Sequence, residues 1–215
     1  MKRARWIATT AIASIIFSLL HIPAAQAGLY PFTSHTFTPC GATGLSGPST
    51  LSCTTAYNAA SWTSNSSYFS TSSGIQLWTV PATATYRITA YGARGGFGNI
   101  NVYAGGAGAK ASGDISLTEG QQIKILVGQV GSNPSNNSSA GGGGGSFVTT
   151  SSNSPLIIAG GGGGGAGANS SGEKTGVAGG AINSGTTGRD GLVAGGTGGN
   201  GGATPTQAWS GASGG

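Results

Sequence analysis

Two uninterrupted glycine runs, residues 141–145 and 160–165, constrain the fold of this chain more than any other feature. Of its 44 glycines, 39 follow residue 90, where glycine runs alternate with short apolar stretches. Glycine loses more backbone entropy on ordering than other residues, so an isolated run of this kind is disordered. The ordered alternative is a set of extended threefold helices that exchange backbone hydrogen bonds. Because both runs adjoin apolar stretches, the ordered arrangement is favoured, with the two runs packed on each other.

The apolar stretches alternate with the period of two that is typical of half-buried β-strands. Within residues 85–91, Tyr86 and Ile88 fall on one face, and Arg87 and Thr89 fall on the other. Similar stretches cover residues 32–37, 74–80, 115–117, 122–130, 147–149 and 156–159. After residue 27 no segment has the 3.6-residue apolar period of a helix. The predicted fold class is therefore all-β, a sandwich or jelly roll.

The first 27 residues have the order of parts found in a secretory signal. A basic start leads into an apolar run over residues 6–22, and Ala25 and Ala27 occupy the two positions that a signal peptidase recognises. The run is shorter than the roughly 20 residues that a membrane-spanning helix needs. We therefore expect export with cleavage after Ala27, which leaves residues 28–215 as one glycine-rich domain, secreted or on the cell surface.

The charged residues argue against several classes of function. Residues 28–215 carry six basic and four acidic side chains, so no basic patch is expected to bind nucleic acid. His35 is their only histidine, and we expect it at an exposed strand edge rather than beside a nucleophile. Asp114 and Glu119 are expected as solvated turn charges. The sequence thus predicts no enzyme activity, no metal site and no cofactor.

Cys40 and Cys53 are the only cysteines of the chain. A closely spaced pair in an exported protein predicts one disulfide, and two free thiols are the alternative. In the chain-entropy model, closing a loop of this size contributes about 3 kcal/mol.

Aromatic residues are the remaining candidates for a binding site. Trp78 and Tyr86 lie within alternating strands and are assigned to the core. Four others lie in a segment rich in serine and asparagine, where an exposed ring can contact a partner protein or a sugar. These candidates for partner contact are Tyr57, Trp62, Tyr68 and Phe69.

Several short motifs occur in an order that resembles a known family. They are CGATG at 40–44, GIQLW at 74–78, YRITAYGA at 86–93, ILVGQ at 125–129 and PLIIA at 155–159. Together they resemble the glycine-rich extracellular domain of the anaplastic lymphoma kinase and leukocyte tyrosine kinase receptors, roughly over residues 37–165. The tail after residue 165 is similar only in composition.

The resemblance implies a jelly-roll-like (TNF-like) sandwich that carries packed polyglycine helices, and it also implies a Cys40–Cys53 pair. In the receptors this domain binds a protein ligand outside the cell. The sequence departs from the family by lacking a transmembrane helix, a kinase domain and the receptors' further cysteines. The receptors' ligand-contacting surface is acidic, whereas residues 28–215 are weakly basic. We therefore carry over the fold and the disulfide but no ligand site.

Two functional hypotheses remain. The first is a secreted or surface-displayed binding module, receptor-like or adhesive, that recognises an extracellular protein or glycan. The second is a structural coat protein without a specific ligand. Membrane attachment would need an anchor that these residues do not contain. Because the sequence ends within a glycine pattern shortly after Trp209, we expect either a fragment or a sandwich closed by earlier strands.

Overall fold

A computed structural model describes residues 28–44, 46–168 and 175–179 of the chain. The expected leader with its cleavage site lies outside the described residues, as does the end of the glycine-rich tail. In the described part, antiparallel strands dominate and helix is limited to two short segments. The all-β expectation is therefore confirmed.

Two antiparallel sheets make up the fold. The strands are β1 Phe69–Ser72, β2 Ile75–Thr79, β3 Ala84–Tyr91, β4 Lys110–Leu117, β5 Gln122–Leu126, β6 Ser146–Thr150 and β7 Pro155–Ala159. One sheet has the order β1-β2-β5-β6-β7, and β3 pairs with β4 in a second, two-stranded sheet. Helix α1, Thr50–Ala56, and a 3-10 turn, Ser61–Ser64, precede β1.

The inner faces of the two sheets share one hydrophobic core. Trp78, Ile123 and Val148 come from the five-stranded sheet, and Leu117 comes from β4. In β3 the burial alternates as the sequence predicts, with Tyr86 and Ile88 turned towards the core. The two sheets therefore face each other as the layers of a sandwich.

Several local features differ from the sequence-based expectation. Strand β1 was not predicted, and β5 ends at Leu126 instead of reaching residue 130. Helix α1 was not expected; a reciprocal capping box between Ser49 and Ser52 starts it, although it has only seven residues. Strand β4 begins at Lys110, well before the expected 115–117. The stretch 32–37 is not a strand, because no described strand pairs with it.

Six glycine-rich segments lie side by side and form what we call the glycine layer. They are residues 92–98, 104–109, 128–132, 140–145, 160–168 and 176–179. The two uninterrupted glycine runs bond directly, since Gly143 N donates to Gly162 O at 2.7 Å.

Hydrogen-bond partners in the glycine layer repeat every third residue. The first segment donates alternately to the second segment and to the fourth. The bonds are Gly92 N to Ala109 O, Gly95 N to Gly106 O, Ala93 N to Gly144 O and Gly96 N to Gly141 O, all at 2.9 Å. Four of the six segments are thus bonded to three or more neighbours, unlike a β-strand, which has at most two.

Side chains have no room inside the glycine layer. A Cβ on Gly162 would lie 2.0 Å from the carbonyl oxygen of Gly106, and one on Gly161 would lie 1.9 Å from that of Gly143. Both obstacles are backbone atoms, which cannot rotate away. Glycine is therefore required at these positions by close backbone approach.

Candidate functional site

The four aromatic candidates for partner contact do not form an exposed patch. Tyr57, Trp62 and Phe69 are buried, and Phe69 is only 1% exposed. Their rings pack edge to face beneath the helical segments, at 5.8 Å between Tyr57 and Phe69 and 6.2 Å between Trp62 and Phe69. The expected exposure is therefore wrong for these three residues, because burial in the core removes their apolar surface from water. Tyr68 is half-buried, so partner contact by this ring stays a prediction.

A buried polar network fixes Tyr57 in place. Its hydroxyl donates to Gln76 Oε1 at 2.8 Å and accepts from Thr38 N at 2.7 Å. Gln76, which is 1% exposed, in turn donates from Nε2 to Thr38 O at 2.8 Å. The network joins β2 to the N-terminal segment. Strand alternation places Gln76 on the same face as Trp78, a signal of burial that our sequence analysis missed.

The predicted Cys40–Cys53 disulfide is present. Cys53 lies in α1 and is fully buried, so the bond attaches the N-terminal segment to the helix and to the core. Together with the Tyr57 network, it holds the chain before residue 41 against the five-stranded sheet.

A cleft of about 1000 Å3 lies between the two sheets. Its lining includes all eight residues of β3 and none of β4. The N-terminal segment 31–37 forms the other rim, and inward side chains of β2, β5 and β6 form the floor. We call this feature the β3 cleft.

Aromatic and aliphatic side chains dominate the β3 cleft. Phe32, Trp78 and Tyr86 contact one another, with ring centroids between 5.3 and 6.2 Å apart. Tyr30 beside them donates its hydroxyl hydrogen to Thr79 O and accepts from Trp78 Nε1. Burial raises the pKa of Tyr30, so this phenol stays protonated as a donor. Such a surface suits apolar groups and offers little for acid–base chemistry.

His35 lines the β3 cleft and is not at an exposed edge, contrary to expectation. Its ring packs edge to face on Phe37, Tyr57 and Trp62, with centroids 4.5 to 5.0 Å away. Nε2 is buried and has no hydrogen-bond partner among the described residues. Burial lowers the pKa of His35, because desolvation penalises the imidazolium form.

This environment predicts that acidification destabilises the fold. The unfolded chain protonates His35 near pH 6.5, whereas the folded chain binds that proton only at lower pH. The free energy of unfolding should therefore decrease as the pH falls from about 7 to about 5. Denaturant titrations across this range measure the slope.

The matched control is His35→Phe, which keeps an aromatic ring in the cluster. This variant should lose the part of the slope between about pH 7 and 5 that protonation of His35 causes, since no other titrating group is changed. An equally steep slope in wild type and variant would show that His35 is not responsible.

Three charged side chains lie on the outer face of the β3–β4 sheet, namely Arg87, Lys110 and Asp114. Arg87 and Asp114, expected as a turn charge, are cross-strand partners joined by two hydrogen bonds at 2.5 and 2.8 Å. Both are exposed, so the pair contributes little to stability. Lys110 stacks over Tyr91, and Arg94 lies 4.1 Å from the ring centroid of Phe97.

Neither a metal cluster nor a spanning helix occurs in the part of the chain that the structure describes. No group of three histidine, cysteine, aspartate or glutamate side chains there could hold a metal ion. No described helix is long and apolar enough to cross a membrane.

These features define an all-β, disulfide-bonded domain with a glycine layer and an apolar cleft. A comparison with curated proteins finds that the leukocyte tyrosine kinase receptor of Mus musculus is 40% identical over 97 residues. The match covers 45% of this chain and 11% of the receptor, so the chain spans about a tenth of that relative's length. No model of a protein family matches the chain. The match suggests a related extracellular domain and agrees in part with the resemblance seen in the motifs.

Proposed function

We propose that this chain is a secreted or cell-surface binding module, receptor-like or adhesive, that recognises an extracellular protein or glycan. The match to a receptor over 97 residues is the observation that carries this proposal. The apolar lining of the β3 cleft and the exposed, paired state of Arg87 and Asp114 favour binding over catalysis. We accordingly assign the chain no enzyme activity and no cofactor, and we retain residues 1–27 as a leader cleaved after Ala27.

The proposal includes a jelly-roll-like sandwich that carries polyglycine helices. Two sheets that face each other across one core support the first part. Bonds whose partner segment recurs at every third residue support the second, because an extended threefold helix turns its donors by a third of a turn per residue.

A structural coat protein is the second candidate. The glycine layer favours it, since this body of backbone hydrogen bonds has few charges and needs no ligand. Self-association distinguishes the two functions, because a coat protein assembles with itself whereas a binding module saturates with another molecule.

A binding assay on residues 28–215 tests the proposal. The protein is immobilised with its disulfide intact and is exposed to glycans and extracellular proteins of its source. Saturable binding is expected, and Tyr68→Ala should weaken it at least about tenfold if this half-buried ring contacts the partner.

Ser66→Ala, two residues away, is the control and should bind as wild type does. Equal affinity of the two variants would remove Tyr68 from the contact surface. Mass photometry without ligand supplies the second test. Growth into large assemblies as concentration increases, with no saturable binding, would favour the coat protein.

A further inference from the structure

The edge of β3 that points away from β4 has no strand beside it among the described residues. Just beyond the end of the β3–β4 pair, Gly92 N donates to Ala109 O. Because bonded and non-bonded pairs alternate in an antiparallel ladder, the backbone groups of residues 85, 87 and 89 point away from β4. These groups have no backbone hydrogen bond to another described residue. One side of an eight-residue strand thus presents unpaired donors and acceptors.

This unpaired edge borders the β3 cleft. Thr85, Arg87 and Thr89 line the cleft, although strand alternation turns their side chains to the outer face, so their backbone contributes to the lining. The opposite rim, residues 31–37, likewise has no backbone hydrogen bond to a described residue. Two unpaired stretches of backbone therefore border one apolar floor.

The lining of the β3 cleft is almost without charge. Among the described residues that line it, Arg87 is the only one with a formal charge, and its guanidinium bonds Asp114 on the outer face. Burial lowers the pKa of His35, so this ring is neutral near pH 7. A charged group that entered the cleft would lose its water without gaining a counterion. The complementary occupant is therefore uncharged where it enters.

The unpaired backbone discriminates between uncharged occupants. An acyl chain could fill the apolar floor, but it would remove the backbone groups of β3 and of residues 31–37 from water without pairing them, which is unfavourable for each group. An extended peptide covers the same groups and pairs with them, and its alternate side chains reach the floor. It also adds a third strand to the β3–β4 sheet, and a sheet of only two strands is marginally stable by itself.

We propose that the β3 cleft binds an extended segment of a partner protein, which adds to β3 as a further strand. About six residues, which span roughly 20 Å, match the length of the unpaired edge. Side chains of this segment that point into the cleft are apolar, and those on its other face can be polar. The inference rests on the proposed binding function and names its site and class of partner. Tyr68, whose truncation tests that function, does not line the cleft.

A phage library of random octapeptides, selected on immobilised residues 28–215, is the probe. Enriched peptides should alternate apolar and polar residues and should lack central prolines, since proline has no N–H to donate. Thr89→Pro should weaken their binding at least about tenfold, because it removes an outward N–H and leaves the bonds to β4 intact. Thr89→Ala is the matched control. It loses the same hydroxyl contact with Ser112 but keeps the N–H, so it should bind as wild type does.

Two further measurements do not depend on the folding of a variant. A selected peptide is N-methylated on either set of alternate residues, and at least one of the two forms should bind about tenfold or more weakly than the parent peptide. In hydrogen exchange, the amides of residues 85, 87 and 89 should exchange rapidly in the free protein and at least about tenfold more slowly with peptide. The amides of residues 86 and 88, which bond to β4, are the internal control.

Several outcomes would overturn the proposal. They are enriched peptides without alternation, equal binding to Thr89→Pro and wild type, and full affinity of both methylated peptides. Protection of residues 85, 87 and 89 in the dilute free protein would mean that the chain covers this edge itself. Protection that increases with protein concentration would indicate a second copy, and either result refutes a partner site.

Failure of this site is distinguishable from failure of the proposed function. If extracellular proteins or glycans bind Thr89→Pro with full affinity while no library peptide is enriched, the chain is a binding module that contacts its partner elsewhere. In that case only the assignment of the β3 cleft is refuted. If neither the library nor those molecules bind the wild type, the binding function is refuted as well.

Discussion

Replacing Gly162 with leucine should destabilise the domain by about 3 kcal/mol, because the side chain has to displace backbone. The Cβ alone would lie 2.0 Å from Gly106 O and 2.7 Å from Ala107 O. For a domain of this size the midpoint of thermal unfolding should decrease by about 10 °C. Circular dichroism or differential scanning calorimetry measures the shift.

A matched pair of alanine variants separates close packing from the general effect of losing a glycine. Gly162→Ala places its Cβ against backbone, whereas Gly113→Ala in β4 meets only the ends of the Ile157 and Ile115 side chains, at 3.0 and 3.8 Å. The first should lower stability clearly, and the second should change it by less than about 1 kcal/mol. An unchanged midpoint for Gly162→Leu would mean that the glycine layer is not closely packed in solution.

Removing the disulfide should have an effect of similar size. The double variant Cys40→Ala, Cys53→Ala should lose about 3 kcal/mol, because the unfolded chain regains the entropy of an open loop. Alanine keeps the buried position of Cys53 apolar, so the loss reports mainly on the cross-link. Chemical denaturation of the variant and of the wild type measures it.

Reduction of the wild type is the control for this prediction. Reduced wild type and the double variant should unfold at nearly the same denaturant concentration. Thiol labelling of the unreduced, unfolded wild type should find no free cysteine. Stoichiometric labelling would contradict the disulfide and with it the expected loss.

The strands could be predicted where alternation is clear, and the errors have local causes. The inward face of β3 and the buried Ile123 of β5 follow directly from a period of two. Helix α1 begins at the Ser49–Ser52 capping box and has seven residues. Seven residues are too few for an apolar period of 3.6 to be recognised in the sequence. Residues 32–37 have an extended pattern, but alternation cannot tell whether a neighbouring strand exists.

The candidate site was harder to predict than the fold. Serine and asparagine around Tyr57, Trp62 and Phe69 suggested a surface, yet all three rings are buried in the core. Tyr57 ends α1, Trp62 lies in the 3-10 turn, and Phe69 begins β1. His35 lines a cleft that no linear pattern reveals, since its walls come from segments far apart in sequence. The Cys40–Cys53 pair was predicted correctly, because two closely spaced cysteines in a chain expected to be exported favour one disulfide.

The repeat of bonding partners every third residue also limits how the lengths of the glycine segments can change during evolution. Insertion of three residues moves each donor to the equivalent acceptor one repeat further along, and the pattern of neighbours is preserved. Insertion of one or two residues instead turns every later donor towards the wrong neighbour. Segment lengths in this layer can thus vary freely only in steps of three, a rule that acts on the gaps in an alignment rather than on the identity of any residue.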